Sequence, residues 1–578
     1  MKRILSLALA ALLLVGILAG CGQKAPAEVE PDDTPQIQEP DQPKEPAPEP
    51  EDTGEPVAGI GPDMLLLPTM ENMSDKWPGS WDNYGLIGRM MIFSRLLRLD
   101  SDLNPVYGDL AKEWTVSDDG MQYTFTLNED VKWHDGEDFS ADDVAFSIKT
   151  ALKAAQVNGV IKGALSNIKG AKEYIEDESK TAADELEGIK IDGNVITIDM
   201  AKPTGTFLLA AAQFNIFPRH KIEGLDPLTL NTSEFYDWPI GTGPYKITEF
   251  VPNDYAMVEA FDDYFGAKPK IKKVKFTQMD QSDYATRALA DEIDFFHIND
   301  LATAQAALKN PNYEAFYTDI YFVRYFQWNS KGPKGEGNDP FKDIRTRRAF
   351  GHAINRQEII DNLMPGQAAL TNSKVPAAMP YYNPDVYDLK YDPELAKQLL
   401  EEANFDFDQT VKLACYYADQ GSADFMDAIV AYLGEIGVKA EWTLLTGDLT
   451  SQIWDVRDYH FIYAGLSAMA VEEAYNLWYS PDLPGSMYGK IYPSDFTGLD
   501  ELLEKLWVTT DIDERYQIIK DIQKVETEEM LWNIPMFALR NIQVINTARV
   551  NLPDELVLSN EWSNYERYLD KWTINAAE

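Results

Sequence analysis

Two segments alternate apolar and polar residues at the period of a half-buried strand, Gln122-Tyr-Thr-Phe-Thr-Leu127 and Val195-Ile-Thr-Ile-Asp199. A third run, Val411 to Tyr416, is nearly continuous in apolar residues and predicts a fully buried strand, with Cys415 as core filling. Helix starts are marked as clearly. Ser140-Ala-Asp-Asp143 is a capping-box variant ahead of Val144, Phe146 and Ile148. Asp392-Pro393 places a cap and an N1 proline before Leu395, Leu399 and Leu400, and Asp511-Ile-Asp-Glu514 gives a cap and an acidic first turn to Ile518, Ile519 and Ile522. Helices and strands alternate along the chain with no repeat, which predicts a mixed α/β fold.

The amino terminus has a different pattern. Lys2 and Arg3 precede an apolar run from Ile4 to Leu18, and Ala19 and Gly20 lead into Cys21. That is the layout of an export signal over 1–20, too short and wrongly flanked for a retained membrane span. Leu18-Ala-Gly-Cys21 resembles the bacterial lipoprotein box, which implies cleavage before Cys21 and lipidation of its thiol. Acyl chains on one residue give stable anchoring, at ~0.8 kcal/mol per buried methylene. From Lys24 to Pro56 the chain has nine prolines and eleven acidic residues against two lysines. Such a segment buries no core, so 21–56 is read as a disordered tether that would span ~100 Å at ~3.1 Å per residue.

Composition narrows the chemistry. The chain carries 51 Lys and Arg against 95 Asp and Glu, a formal charge of -44, most of it outside the tether. No nucleic-acid partner is expected, because such partners need a basic face. Residues 57–578 suffice for two or three domains. With Cys21 lipidated, Cys415 has no partner for a disulfide. The five histidines, at 134, 220, 297, 352 and 460, are scattered and none shares a zinc-type spacing, so no metal site is expected. Gly241-Thr-Gly243 lacks the third glycine of a dinucleotide loop, since position 246 is Lys246, and Gly485-Ser-Met-Tyr-Gly489-Lys490 is one residue short of a phosphate loop. No Gly-x-Ser-x-Gly elbow occurs. His134-Asp135-Gly136 reads as a strand-turn-helix connection with His134 hydrogen-bonded. Neither a cofactor nor an enzymatic activity is expected.

Ordered motifs then carry a resemblance. Leu110-Ala-Lys-Glu-Trp114, Ser117-Asp-Asp-Gly120, Tyr123-Thr-Phe125, Val131-Lys-Trp-His-Asp-Gly136 and Phe139-Ser-Ala-Asp-Asp-Val144 are similar to the signature of the extracellular solute-binding proteins of the peptide and nickel importer family. Gly241-Thr-Gly-Pro-Tyr245, Asp263-Tyr-Phe265, Ala290-Asp-Glu-Ile-Asp294, Asp343-Ile-Arg-Thr-Arg-Arg-Ala349, Ala353-Ile-Asn-Arg356, Tyr391-Asp-Pro-Glu-Leu-Ala-Lys397, Leu399-Leu-Glu-Glu-Ala403 and Leu433-Gly-Glu-Ile-Gly437 follow in the family's order. The resemblance implies a two-lobed, periplasmic-binding-protein-like (type II) α/β fold with an additional inserted α/β domain. Lobe I would comprise 57–105, 239–326 and 535–578, the inserted domain 106–238, and lobe II 327–534, with crossings near Trp328 and Pro535. It implies a small-molecule ligand, an ABC importer permease and ATPase as partners, and a place on the outer face of the bacterial membrane.

Positions usual for the family's cleft nominate Glu71, Asn72 and Trp81 after the first strand, Trp328 and Asn329, and Gly465, Ser467, Glu472 and Glu473 in the second lobe. Trp81 or Trp328 could stack on a ligand, and Asn72 or Asn329 could hydrogen-bond it; the aromatics would serve equally as core filling. The stretch Phe461 to Ala470 lacks the acid that pairs with a peptide's ammonium in peptide-binding members. The resemblance therefore leaves an oligopeptide, with Glu472 or Glu473 as ammonium partner, or an oligosaccharide. A signalling receptor with the same capture step, and a surface hydrolase, are the rival readings.

Overall fold

The computed structural model describes residues 63–69, 73, 76, 77, 80, 81, 91–552 apart from 101, 156, 299, 338 and 469, and 571–575. The export signal, Cys21, the tether, Glu71 and Asn72 lie outside the described residues. From Asp63 onward the chain clusters as one compact unit.

The first strand, β1 (Met64–Thr69), is followed by a ribbon of β2 (Leu97–Leu99) and β3 (Pro105–Gly108). Next come β4 (Ala111–Val116) and β5 (Gln122–Leu127), helix α1 (Ala141–Lys153), then β6 (Ile189–Asp192) and β7 (Val195–Asp199), which form an antiparallel sheet in the order β4-β5-β7-β6. Both alternating segments of the sequence are strands with the bounds their pattern predicts. Tyr123, Phe125, Ile196 and Ile198 point inward to a core that includes Val144 and Ile148 of α1. Asp143 starts that helix by accepting from the Ser140 amide at 2.9 Å, and its other oxygen accepts from the Arg219 amide at 2.9 Å.

The chain then returns to β1 through β8 (Tyr245–Val251), β9 (Tyr255–Ala260) and β10 (Lys273–Gln278), giving a sheet in the order β1-β10-β9-β8 with β1 and β10 parallel. Gly241 makes the return possible. A Cβ there would lie 1.9 Å from the Ile92 carbonyl oxygen, a backbone atom with no freedom to move. The two four-stranded sheets share one continuous apolar cluster.

The largest sheet collects β11 (Phe295–Ile298), β12 (Tyr313–Trp328), β13 (Ala368–Ala369), β14 (Thr410–Cys415), β15 (Lys439–Leu444), β16 (Phe461–Ser467) and β17 (Asn533–Asn546). Its order is β11-β17-β12-β16-β14-β15, with β13 pairing β17. Strands β14, β15 and β16 run parallel, and β12 runs antiparallel to both β16 and β17. Four helices matter to the site: α2 (Pro393–Glu402), α3 (Gln420–Glu435), α4 (Val471–Asn476) and α5 (Ile512–Val525). The Asp392 cap accepts from the Leu395 amide and the Asp511 cap from the Glu514 amide, each at 2.9 Å, as their sequence signals require. The expected buried strand ends one residue early, at Cys415, which is fully buried.

Strands β12 and β17 pass from one core to another. Tyr313, Ile542 and Val544 belong to a small cluster with Phe296 and Ile298. Tyr321, Phe326, Trp328, Ile534, Met536, Phe537 and Leu539 belong to a second large cluster, which also holds Leu413, Phe425 and Phe461. The change of core falls beside the pair Asp319 and Arg540, where the register of β12 on β17 breaks before resuming at Val323 and Ala538. Trp328 and Pro535, near which the crossings are expected, are both buried, and Trp328 belongs to the second large cluster.

Candidate functional site

In open α/β sheets ligands bind off the carboxyl ends of the parallel strands. Here that edge is defined by Cys415, Leu444 and Ser467, and Phe322 of β12 is the Cα partner of Ser467. The chain turns from β14 into α3 through Tyr416 and Tyr417, and from β16 into α4 through Ala468. Asp419 caps α3, accepting from the Ser422 amide and hydroxyl, each at 2.8 Å.

One cation sits at this edge. Arg324 extends its guanidinium 3.7 Å over the Tyr417 ring, 4.8 Å from the Phe322 ring and 5.7 Å from the Tyr463 ring. Such contacts contribute ~0.5–2 kcal/mol each, most where water is excluded. The Tyr416 and Tyr417 rings lie 4.3 Å apart at a tilt of 39° with their hydroxyls 2.9 Å apart, and Tyr417 meets Tyr463 edge-on at 5.6 Å. Burial pushes the pKa of all three phenols up, so they stay neutral at physiological pH. Gly465 is the Cα partner of Arg324. A Cβ there would come within 2.8 Å of Phe322 and 3.1 Å of both Arg324 Nη1 and the Tyr417 hydroxyl. The missing side chain is what lets the guanidinium lie against the strand.

The structure brings Gly465 and Ser467 of the nominated residues to this edge. Trp328 and Asn329 sit at the other end of β12, with Trp328 lying ~13 Å along the strand from Arg324. Trp328 donates to Asp339 at 3.2 Å and carries the Arg347 guanidinium 4.1 Å over its ring. The Asn329 amide donates to the carbonyls of Gly332 and Tyr459 at 2.8 and 3.0 Å. Trp81 is 1% exposed, stacked on Phe214 at 6.0 Å and edge-on to Phe217 at 5.1 Å. Of the two nominated acids, Glu472 is buried in an ion pair with Arg515, and Glu473 accepts from the Ala470 amide at the start of α4. Arg324, Phe322, Tyr416 and Tyr417 were not nominated, although the sequence holds a signal for them. Arg324 is the one charged residue in the apolar run Ile320 to Trp328, and the tyrosine pair directly follows a strand and precedes an Asp cap.

Elsewhere, a surface depression of about 610 Å³ is lined by His134, Asp135, Lys221, Trp238 and Lys246. Several of its polar groups are already engaged. Asp135 pairs with His220 and Lys221 at 2.9 and 3.0 Å, and the His134 ring bonds with the backbone of Gly241 and Gly243. Among the described residues no group of three or more His, Cys, Asp or Glu side chains is placed to hold a metal ion, and no helix is long and apolar enough to cross a membrane.

The family described as bacterial extracellular solute-binding proteins, family 5 (middle region), matches residues 105–485. The chain belongs to this family. It is similar to the dipeptide-binding protein of Escherichia coli, 29% identical over 327 residues, 54% of this chain and 58% of that one. It is also similar to heme-binding protein A of Haemophilus influenzae, 24% identical over 516 residues, 82% and 84% of the two chains. The chain spans about three-fifths of the length of the curated relatives it matches first. The crystal structure of the ABC transporter substrate-binding protein CtaP from Listeria monocytogenes superposes with a TM-score of 0.71 at 22% identity, covering 88% of this chain and 99% of that one. At that identity the likeness speaks to the fold, a two-lobed α/β architecture. The family is one of solute-binding proteins and not of enzymes.

Proposed function

We propose that this family member is the extracytoplasmic receptor of an ABC importer, capturing an oligopeptide-like solute between two lobes and handing it to the permease and its ATPase. The observation that carries this is the largely buried aromatic box around Arg324 at the carboxyl edge of the parallel strands, beside the change of core in β12 and β17. Two bodies joined by continuous strands can close on a ligand held there, and closure is the state a permease would read. In this reading one lobe is built on the second large core. The other combines the β1-β10-β9-β8 sheet with an inserted region, 106–238, that packs on the same core. The Leu18–Cys21 box and the acidic, proline-rich tether support a body held off the outer face of the membrane by lipid on Cys21.

The test of the ligand is a thermal-shift screen of the full-length protein, unfolded and refolded to strip carried-over solute, against pooled di- to hexapeptides. A ligand at ~100 times its Kd stabilises the fold by ~2.7 kcal/mol. A reproducible rise in Tm supports the reading, and no rise sinks it. The anchor is tested by labelled-lipid incorporation, which is lost in Cys21→Ala. Oligosaccharides form the second screen, because Phe461 to Ala470 has no acid and Glu472 is already paired with Arg515, so an incoming ammonium finds no free carboxylate among them.

A further inference from the structure

We infer that the acidic, proline-rich segment Glu45-Pro-Ala-Pro-Glu-Pro-Glu-Asp-Thr-Gly-Glu-Pro56 docks on the body of its own chain, along a row of lysines at the starts of β8 and β10 and in the aromatic depression beside them. The inference goes beyond solute capture and depends on neither the ligand nor the lipid.

The place where the chain enters the body and the charge gathered there carry it. Met64 of β1 is the Cα partner of Lys273, Lys273 of Glu259, and Glu259 of Lys246, so the four lie in one row across the sheet. Three strand spacings put Lys246 ~14 Å from Met64. The eight residues 57–64 span ~25 Å when extended at ~3.1 Å each, so Pro56 and the residues before it reach the whole row. The Ala260 amide donates to the Lys272 carbonyl at 2.9 Å, and Ala260 pairs with Tyr245, which brings the turn Lys268-Pro-Lys-Ile-Lys272 beside the start of β8. Five lysines, at 246, 268, 270, 272 and 273, thus stand together in a chain of 51 basic and 95 acidic residues. Lys273 pairs with Glu259 at 3.0 Å. Lys272 and Lys268 donate to the carbonyls of Pro269 and Asp262, and Lys246 lies 5.6 Å from the Phe261 ring. Among the described residues none of Lys246, Lys268, Lys270 and Lys272 is paired with a carboxylate, although the exposed Asp262 and Asp263 follow β9 closely. The segment 45–56 offers five acids, four prolines and no base.

The prolines have a place as well. At Lys246 the row opens into the depression, whose wall holds Phe235, Trp238, Pro239 and Ile240, with Trp238 48% exposed. A proline-rich stretch is already extended, loses little entropy on docking, and packs its rings on exposed aromatics. Two acids of the depression are occupied, Asp135 by Lys221 and Asp237 by Lys76, while Glu234 has no cation on it among the described residues and opposes the docking. Each surface contact is weak and screened by salt, but the segment is covalently held near its site at a roughly millimolar effective concentration. Docking shortens the free tether to residues 21–44, ~75 Å when extended at ~3.1 Å per residue, so the distance between body and anchor varies with ionic strength.

The test is zero-length carbodiimide coupling of carboxylates to amines in the full-length Cys21→Ala protein, with the joined peptides identified by mass spectrometry at about 0.02 and about 0.5 M NaCl. Coupling of Glu45, Glu49, Glu51, Asp52 or Glu55 to Lys246, Lys268, Lys270 and Lys272 is expected at ~5-fold or more the yield at the exposed Lys172 and Lys309 in low salt, and at their level in high salt. Trp238→Ala lowers the yield ~2-fold or more, and Glu234→Gln raises it. The quadruple variant Lys246→Gln, Lys268→Gln, Lys270→Gln and Lys272→Gln melts at the wild-type temperature, and small-angle scattering in low salt gives it a larger maximum dimension. Even coupling across the exposed lysines, or a maximum dimension unchanged in the quadruple variant, overturns the docking. If those lysines couple to no acid of 45–56 and instead carry the wild type, but not the quadruple variant, down with phosphatidylglycerol vesicles, their partner is an anionic membrane and the inference is wrong.

Discussion

Asp319 and Arg540 face each other across β12 and β17, with Arg540 Nε 2.7 Å from Asp319 Oδ1, at the point where the two long strands lose register and change cores. Each side chain is more than a third or close to a third exposed, so the pair adds less than ~1 kcal/mol to stability. Its place beside the register break makes it the pair to vary in a test of the proposed closure. In Asp319→Asn the Tm is expected to stay within the error of wild type while ligand affinity moves by up to about 5-fold. The double variant Asp319→Arg with Arg540→Asp recovers the wild-type value. Small-angle scattering with and without ligand reads the accompanying change in dimensions; identical affinities in all three proteins count against a role in closure.

Gly465→Ala separates the site from the fold. Its Cβ would press on the far ends of Phe322, Arg324 and Tyr417, which are side chains that can turn away. We expect a stability loss of only about 1 kcal/mol and a drop in affinity of ~10-fold or more, measured by thermal melting and calorimetry on the same preparation. At Gly241 the added Cβ meets the Ile92 backbone, so Gly241→Ala should lose at least ~3 kcal/mol whatever the ligand.

Glu472 and Arg515 form an ion pair in which the acid is 3% and the arginine 16% exposed. Arg515 also donates to the carbonyls of Leu506 and Thr509 at 3.0 and 2.9 Å, tying α5 to the end of the helix Asp500–Val508 that precedes it. Arg515→Leu leaves a buried carboxylate alone and is expected to cost ~3–5 kcal/mol in denaturant unfolding. Adding Glu472→Gln should return part of that loss, which an additive pair of unrelated defects would not do.

A second buried polar pair makes stability depend on pH. Glu526 accepts from the Lys374 amide at 3.0 Å and from the Tyr475 hydroxyl at 2.5 Å, and Lys374 Nζ donates to the Ala474 carbonyl at 2.6 Å and lies 4.1 Å from the Trp478 ring. Burial pushes the Glu526 carboxyl up from 4.5 to about 7 and the Lys374 ammonium down from 10.5 to about 7. The raised acid contributes fully below pH 4.5, and that contribution is lost as the pH rises through 7. The depressed amine opposes folding while it must be charged, so its penalty lifts as the pH climbs from 7 to 10.5. At about 1.4 kcal/mol per pH unit, each limb amounts to a few kcal/mol. Urea unfolding across this range should show the falling limb flattened in Glu526→Gln and the rising limb flattened in Lys374→Met.

The strands at 122–127 and 195–199, the capping box of Ser140 and Asp143, and the caps Asp392 and Asp511 were legible because each depends on neighbours within a few residues. The family and its two-lobed fold were legible because many short motifs keep one order along the chain. The site was harder to read. Trp328 and Asn329 have residue types suited to a ligand, but partners far along the chain, Arg347, Tyr459 and Trp532, claim them first. Arg324 is the converse case. A charge in an apolar strand is visible in one dimension, while the absence of a partner acid emerges only when Tyr417, Tyr463 and Gly465 are brought around it.

The position of β17 in the chain also bears on how the molecule is made. That strand contributes Ile534, Met536, Phe537 and Leu539 to one large core and Ile542 and Val544 to the small cluster, but only Ile545 to the other large core, so the second core and the small cluster stay incomplete until it arrives. Nearly the whole polypeptide must therefore be synthesised before those two are complete, whereas the first core is almost entirely present by Phe295. A nascent chain therefore carries the apolar face of its second half uncovered until its last long strand has been made.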